Sequence, residues 1–184
     1  MSLTETPICN FGEKAQDFNL LSTENKKISL NEVVGEKGLL IMFICNHCPY
    51  VKAVIKDIVK DVQYLETLGI KSIAIMSNDV KNYPDDSFEN MIAFSKLHGF
   101  TFPYVIDDTQ ETAKKYGAVC TPDFFGFNKN IELQYRGRIR ELKNLKPVRK
   151  GDSDLLIAMK QISETGKGPK NQIPSMGCNI KWFK

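Results

Sequence analysis

The sequence predicts an α/β fold in which a central mixed β-sheet is flanked by helices, with extra strands before it and a tail after it. Three observations carry this expectation. The run "GLLIMFI" (38–44) is continuously apolar and of strand length, as a strand buried on both faces requires. A helical pattern then leads to a second such run, "IKSIAIM" (70–76), through a connection long enough for a parallel crossover. Later, "DFFGF" and "IELQYR" flank the turn "NKN", the pattern of an antiparallel hairpin. Parallel units followed by a hairpin and a closing helix give a mixed sheet with helices on both faces.

The elements follow in order. "AQDFNLLS" and "KKISLNEVV" are two short extended segments separated by the polar turn "TENK". After the first apolar run, Val51, Val54, Ile55, Ile58, Val59, Val62 and Leu65 fall at intervals of three and four. Lys52, Lys56, Asp57, Lys60 and Asp61 take the other side, and Gly69 stands past the end. A second helix is expected from near Asp86, where Asp86 and Glu89 have capping-box spacing, to Gly99. "FPYVI" reads as a strand, and "DTQETAKKYG" as a short helix capped by Asp108 and stopped by Gly117. The segment from Gly137 to Lys150 is basic and irregular. A last helix starts near Asp152 or Ser153, turns Leu155, Leu156, Met159 and Ile162 inward, and stops at Gly166. The expected organisation is one domain over 1–184, with its core at about 12–166 and a tail at 167–184 that lacks clear periodicity.

Composition narrows the function classes. Apolar residues make up 42% and charged residues 26% of the 184, ordinary values for a globular protein. A net charge of +3 is too small to point to nucleic acid or an anionic membrane as partner. No apolar run has spanning length, and the start lacks the pattern of a secretory signal, so a cytoplasmic address is expected. Cys9, Cys45, Cys48, Cys120 and Cys178 are odd in number and mostly scattered, unlike a secreted disulfide framework.

The chemistry concentrates in "FICNHCPYV", from Phe43 to Val51, at the carboxyl end of the first buried strand and the start of the helix. Cys45 and Cys48 can be read as a redox couple, as metal ligands or as small core residues. A thiolate is the nucleophile of disulfide exchange, and a helix N-terminus lowers a thiol pKa from about 8.5. Cys45 is therefore expected to be the exposed, attacking thiolate. Cys48, one turn deeper, would resolve the mixed disulfide. His47 adds a titratable cation, and Pro49 is tolerated early in a helix. Metal binding by Cys45, His47 and Cys48 would need a fourth ligand and a second knuckle, so the redox reading is preferred and no metal is expected.

"FICNHCPYV", taken with "YGAVCTPDFFGFNKNIELQYRG", resembles the thioredoxin-like superfamily. The resemblance implies a thioredoxin-like fold with Pro122 as a cis-proline facing the dithiol. It implies that Thr121 and Pro122 offer a backbone edge to substrate segments. The added amino-terminal strands, "CNHCPYVKA" and "GCNIKW" resemble the peroxiredoxin-like redoxin proteins, related to AhpC/TSA and to the cytochrome-maturation thioredoxins. Three departures stand out. Ile44 replaces the tryptophan of thioredoxins, and "GLLIMFI" lacks their buried carboxylate, which leaves proton transfer at Cys48 unassigned. Ile41 and Cys45 occupy the proline and threonine places of the peroxiredoxin pattern when Cys48 is set at its cysteine.

The remaining residues divide between function and packing. Cys120, near Pro122, is either an accessory thiol or a packed small residue. Cys178 would be a resolving thiol only if the tail, apolar at Ile180, Trp182 and Phe183, folds over the site. Tyr50 lines a substrate groove or packs, and Cys9 and His98 are read as packing. Arg136, Arg138, Arg140, Lys143, Lys146, Arg149 and Lys150 read as a solvated basic loop or as an attractor of an acidic partner. The expected activity is thiol:disulfide oxidoreduction without a cofactor, on protein or small-molecule disulfides and thiols. The alternatives are a slow thiol peroxidase acting on peroxide, a redox sensor and a metal-binding module.

Overall fold

A computed structural model describes residues 2–7 and 10–184; Cys9 lies outside the described residues. β1 is Leu3–Glu5. The two expected amino-terminal extended segments contain β2 (Asn19–Ser22) and β3 (Lys27–Ser29), paired antiparallel. β4 (Gly38–Phe43), α1 (Pro49–Thr67) and β5 (Ile70–Met76) form the β-α-β unit, with β4 and β5 parallel. α2 (Phe88–His98) leads to β6 (Tyr104–Ile106), parallel to β5, and α3 (Glu111–Tyr116) to β7 (Cys120–Thr121). β8 (Asp123–Asn128) and β9 (Leu133–Gly137) make the antiparallel hairpin. The basic segment folds into a small hairpin of β10 (Leu142–Lys143) and β11 (Lys146–Pro147). α4 (Asp154–Thr165) and β12 (Met176–Asn179) complete the chain.

Seven strands form one mixed sheet in the order β3-β2-β6-β5-β4-β8-β9. Its central strand β4 is buried throughout because it serves two cores. Leu40 and Met42 face α1, α2 and α4, while Leu39, Ile41 and Phe43 face α3 and the amino-terminal segment. This is the physical reason for an unbroken apolar run in place of an alternating one. A second sheet, β1-β12-β7, forms at the carboxyl ends of the parallel strands.

Several elements depart from expectation. The first turn of α1 does not contain the cysteines: its N-cap is Cys48, and Pro49 opens the helix. Asp61 is not on a wet face but 2% exposed, accepting a hydrogen bond from Ser153, the N-cap of α4. α2 is capped by Ser87, which releases Asp86 from the expected capping box. α3 is preceded by Gln110, and Asp107, in place of Asp108, accepts from the N–H groups of Thr112 and Ala113. The basic stretch is only partly solvated. Arg136 is buried against Asp123 at 2.9 Å, Arg140 lies 3.0 Å from Asp57, and Arg138 donates to Asp154 at 2.8 Å.

Candidate active site

The carboxyl end of β4 carries Cys45 through Cys48 into the start of α1, and the loop between β7 and β8 faces them. The Thr121–Pro122 peptide bond is cis. Cys45 Sγ lies 3.4 Å from Thr121 Oγ1, and the Cys48 thiol donates to the Thr121 carbonyl at 3.2 Å. Both cysteines are closed off: Cys45 is 1% exposed and Cys48 is 0% exposed. The expectation of an exposed outer sulfur is therefore corrected. β12 accounts for part of the cover, since it pairs with β7 so that Cys178 stands opposite Thr121.

The electrostatics couple the two sulfurs and shift them in opposite directions. Cys48 receives hydrogen bonds from the Cys45 thiol, from Cys178 and from the Val51 N–H in the first turn of α1. These donors outweigh burial and hold its pKa below the ordinary thiol range. Cys45 donates to Cys48, is desolvated and faces the Asp86 carboxylate, so its pKa is raised. The two sulfurs titrate as a unit. The helix terminus thus acts on the second cysteine, because the helix begins one residue after it.

His47 does not act as an isolated cation beside Cys45. Its Nδ1 lies 2.6 Å from Asp86 Oδ2, and this hydrogen bond raises the imidazole pKa. The ring stacks on Tyr83 with centroids 5.9 Å apart. Asp86 is itself fully buried and accepts four hydrogen bonds, from the Asn46 N–H, the His47 N–H, His47 Nδ1 and Asn78 Nδ2. Burial pushes its pKa up, but the His47 and Asn78 contacts prevail and the net direction is down. Asn46 also donates to the Asp85 carbonyl and accepts from the Tyr104 hydroxyl at 2.9 Å. Sequence reasoning missed Asp86, Asn78 and Tyr104. The signal at Asp86, an acidic residue ahead of a helix, was ambiguous with a cap.

Cys45, His47 and Asp86 offer ligand atoms within 4.8 Å of one another, the group among the described residues with metal-ligand types. Both Asp86 oxygens are already engaged by those four donors, so a metal ion would have to displace them. Cys120 is buried with Sγ 3.8 Å from the Pro122 carbonyl, and desolvation raises its pKa. Cys178 is likewise shifted up, first by burial and then by Cys48. Tyr50 and Pro122 line a groove of about 270 Å³ together with Val54, Arg138, Ile139 and Met176. His98 sits at the end of α2, edge-on to Phe94.

A family model described as the AhpC/TSA family matches residues 11–141, well over half of the chain. The chain belongs to the AhpC/TSA family. That membership supports a redox function. No curated protein matches the chain. Among solved structures, an uncharacterized conserved protein from Geobacillus kaustophilus is 36% identical over 100% of this chain and 97% of that one, with a TM-score of 0.94. A hypothetical protein from Sinorhizobium meliloti 1021 is 33% identical over 98% of each chain, with a TM-score of 0.91. The thioredoxin domain of a thiol-disulfide oxidoreductase from Bacteroides vulgatus reaches a TM-score of 0.60 at 14% identity, over 74% of this AhpC/TSA family member and 91% of that chain. That likeness concerns the fold, which is thioredoxin-like. Among the described residues no helix is long and apolar enough to cross a membrane.

Proposed function

We propose that the chain is a thiol:disulfide oxidoreductase whose working couple is Cys45 and Cys48. The observation that carries the reading is the gathering of both sulfurs on Thr121 at the N-terminus of α1, Cys45 Sγ 3.4 Å from its Oγ1 and Cys48 Sγ 3.2 Å from its carbonyl oxygen, beside the cis bond to Pro122. Two sulfurs so placed can close into a disulfide when two electrons are withdrawn. Cys48 is the attacking thiolate and Cys45 the resolving thiol, the reverse of the order expected from sequence. The edge at Thr121 and Pro122 and the groove beside Tyr50 receive the substrate segment. His47 and Asp86 fix the turn that carries Asn46 and hold a proton-bearing pair beside Cys45. The substrates are protein or small-molecule disulfides and thiols, an outside thiol or disulfide completes turnover, and the expected compartment is the cytoplasm. AhpC/TSA membership and the hydrogen bonds to Cys48 support a second reading, slow peroxide reduction through a sulfenic acid on Cys48. The absence of the family's proline and threonine at Ile41 and Cys45 weighs against speed.

Trapping tests this. Reduced protein is mixed with a disulfide-bonded protein, quenched in acid, alkylated and mapped by mass spectrometry. A Cys45–Cys48 link in the wild type, a mixed disulfide at Cys48 in a Cys45→Ser, Cys178→Ser double variant and none in Cys48→Ser are the expected results. Failure of the wild type to form the link with any disulfide, alongside sulfenic acid at Cys48 with peroxide, would transfer the assignment to the peroxidase.

A further inference from the structure

The edge that a substrate segment would use is already taken by the chain's own tail. β12 runs antiparallel to β7, with Cys178 opposite Thr121 and Asn179 opposite Cys120. On its other side β12 pairs with β1. The tail is fastened beyond both ends of this strand. The Ser175 hydroxyl donates to the Pro122 carbonyl and the Thr6 N–H to the Ser175 carbonyl. Farther on, the Ile180 N–H bonds to the Val119 carbonyl, the Lys181 N–H to Asn78 Oδ1 and the Phe183 N–H to Gln110 Oε1.

Two features suit this strand to a role in the chemistry and exceed what mere cover requires. Gly177 has no side chain where a Cβ would stand 2.0 Å from the Thr121 carbonyl oxygen and 2.7 Å from its carbon, so the strand can lie directly on the loop. Cys178 follows it and places a third thiol against the dithiol. Its sulfur and its backbone N–H hydrogen-bond to Cys48. A peptide segment paired with β7, presenting a sulfur to Cys48, is the geometry that the proposed exchange asks of a substrate.

We infer that β12 is an internal substrate of the dithiol and that Cys178 is a third redox thiol, exchanging with the Cys45–Cys48 disulfide to give a Cys48–Cys178 disulfide. The inference rests on the reading of Cys45 and Cys48 as a couple. In the step, the Cys178 thiolate attacks Cys48 Sγ, the Cys48–Cys178 bond forms and the Cys45–Cys48 bond breaks. The electron pair leaves on Cys45, which takes up the proton that Cys178 gave up. One disulfide replaces another, so the step needs no oxidant or reductant. The new bond ties the tail down over the site, and its reduction releases the tail and frees the β7 edge. An external disulfide and Cys178 therefore compete for the same sulfur.

The test uses the full chain. Reduced wild type, Cys45→Ser and Gly177→Val proteins receive one equivalent of diamide, are quenched and alkylated, and their links are mapped by mass spectrometry, with circular dichroism as the check on folding. The wild type should yield Cys45–Cys48 together with Cys48–Cys178, and Cys45→Ser should accumulate Cys48–Cys178 as its main link. Gly177→Val, with its strand pushed off the loop, should keep Cys45–Cys48 and lose Cys48–Cys178. A wild type that forms Cys45–Cys48 beside a Cys45→Ser protein in which Cys178 stays reduced, or links elsewhere, overturns the internal-substrate assignment and leaves the couple standing. A wild type without the Cys45–Cys48 link overturns both. If Cys45→Ser does not fold, the loss or retention of Cys48–Cys178 in Gly177→Val decides the question.

Discussion

A carboxylate shut away from water is costly unless donors saturate it, and Asp86 has four. The pair it makes with His47 carries a definite pH dependence. His47 has a raised pKa in the fold, so its contribution is complete below the unfolded value of about 6.5 and is lost as pH climbs through the folded value. Asp86 is shifted down, so its contribution is present above about 3.9 and is lost as pH falls through its folded pKa. The stabilisation is therefore fullest between those limits. Tyr83 stacks on the imidazole, Cys48 adds to its upward shift and Lys181 opposes it. Asp86→Asn should bring the His47 titration, followed by NMR, down, because the largest upward cause is removed while burial and Lys181 remain against the smaller effect of Cys48. The same change should lower the Cys45 pKa by removing the facing charge, an effect visible in thiolate absorbance. Urea unfolding at pH 6 should show a loss of about 3 kcal/mol, the scale for breaking a buried pair. An unchanged His47 titration in that variant would show that the imidazole takes its proton affinity from elsewhere.

Helices α1 and α4 are tied by one buried hydrogen bond, from the Ser153 hydroxyl to Asp61. Burial raises the Asp61 pKa to about 6 against the opposing Ser153 bond. A folded value above the unfolded value of about 3.9 means that the native state binds more protons in that window, so stability falls as pH rises through it. Asp61→Asn, which keeps an acceptor for Ser153, should gain about 2 to 3 kcal/mol at pH 8 and almost nothing at pH 4, by urea unfolding at each pH. Ser153→Ala should lose about 1 kcal/mol through the cap alone, with more from the stranded carboxyl. The misplacement of Asp61 shows what periodicity can deliver. The apolar residues of α1 fixed its inward face, but the flank that α4 covers depends on a segment some ninety residues later. β4 and β5 were legible because two-sided burial writes itself as a run. Asp86 and Arg136 were not, since local spacing resembles a cap or a wet basic loop, while Asn46 and His47 lie some forty residues before Asp86 and Asp123 meets Arg136 only once β8 and β9 pair.

The two ends of the chain meet over the active site, and no local pattern announced it. β12 has four residues and β1 has three, too few for a period, and both occupy a sheet separate from the main one. The motif at Cys45 and Cys48 was legible from composition and position alone. Its closure was not, because the cover comes from residues whose only signal was an apolar, proline- and glycine-punctuated tail. The cover is built in series: β1 holds β12, and β12 holds the edge of β7. The seven-stranded sheet does not depend on it, so the two should open independently. Removing residues 1–7 takes away the pairing of Leu3, Thr4 and Glu5 with β12. A few backbone hydrogen bonds at about 0.5 to 1.5 kcal/mol each amount to roughly 1 to 3 kcal/mol of strap closure. The rate at which iodoacetamide labels Cys48 in the reduced protein should then rise about tenfold to hundredfold, since a closed sulfur reacts only when the cover lifts. The urea midpoint of global unfolding should move little. A labelling rate unaltered by the deletion would mean that β7 and the contacts of Ile180, Lys181 and Phe183 hold the strap without help from β1.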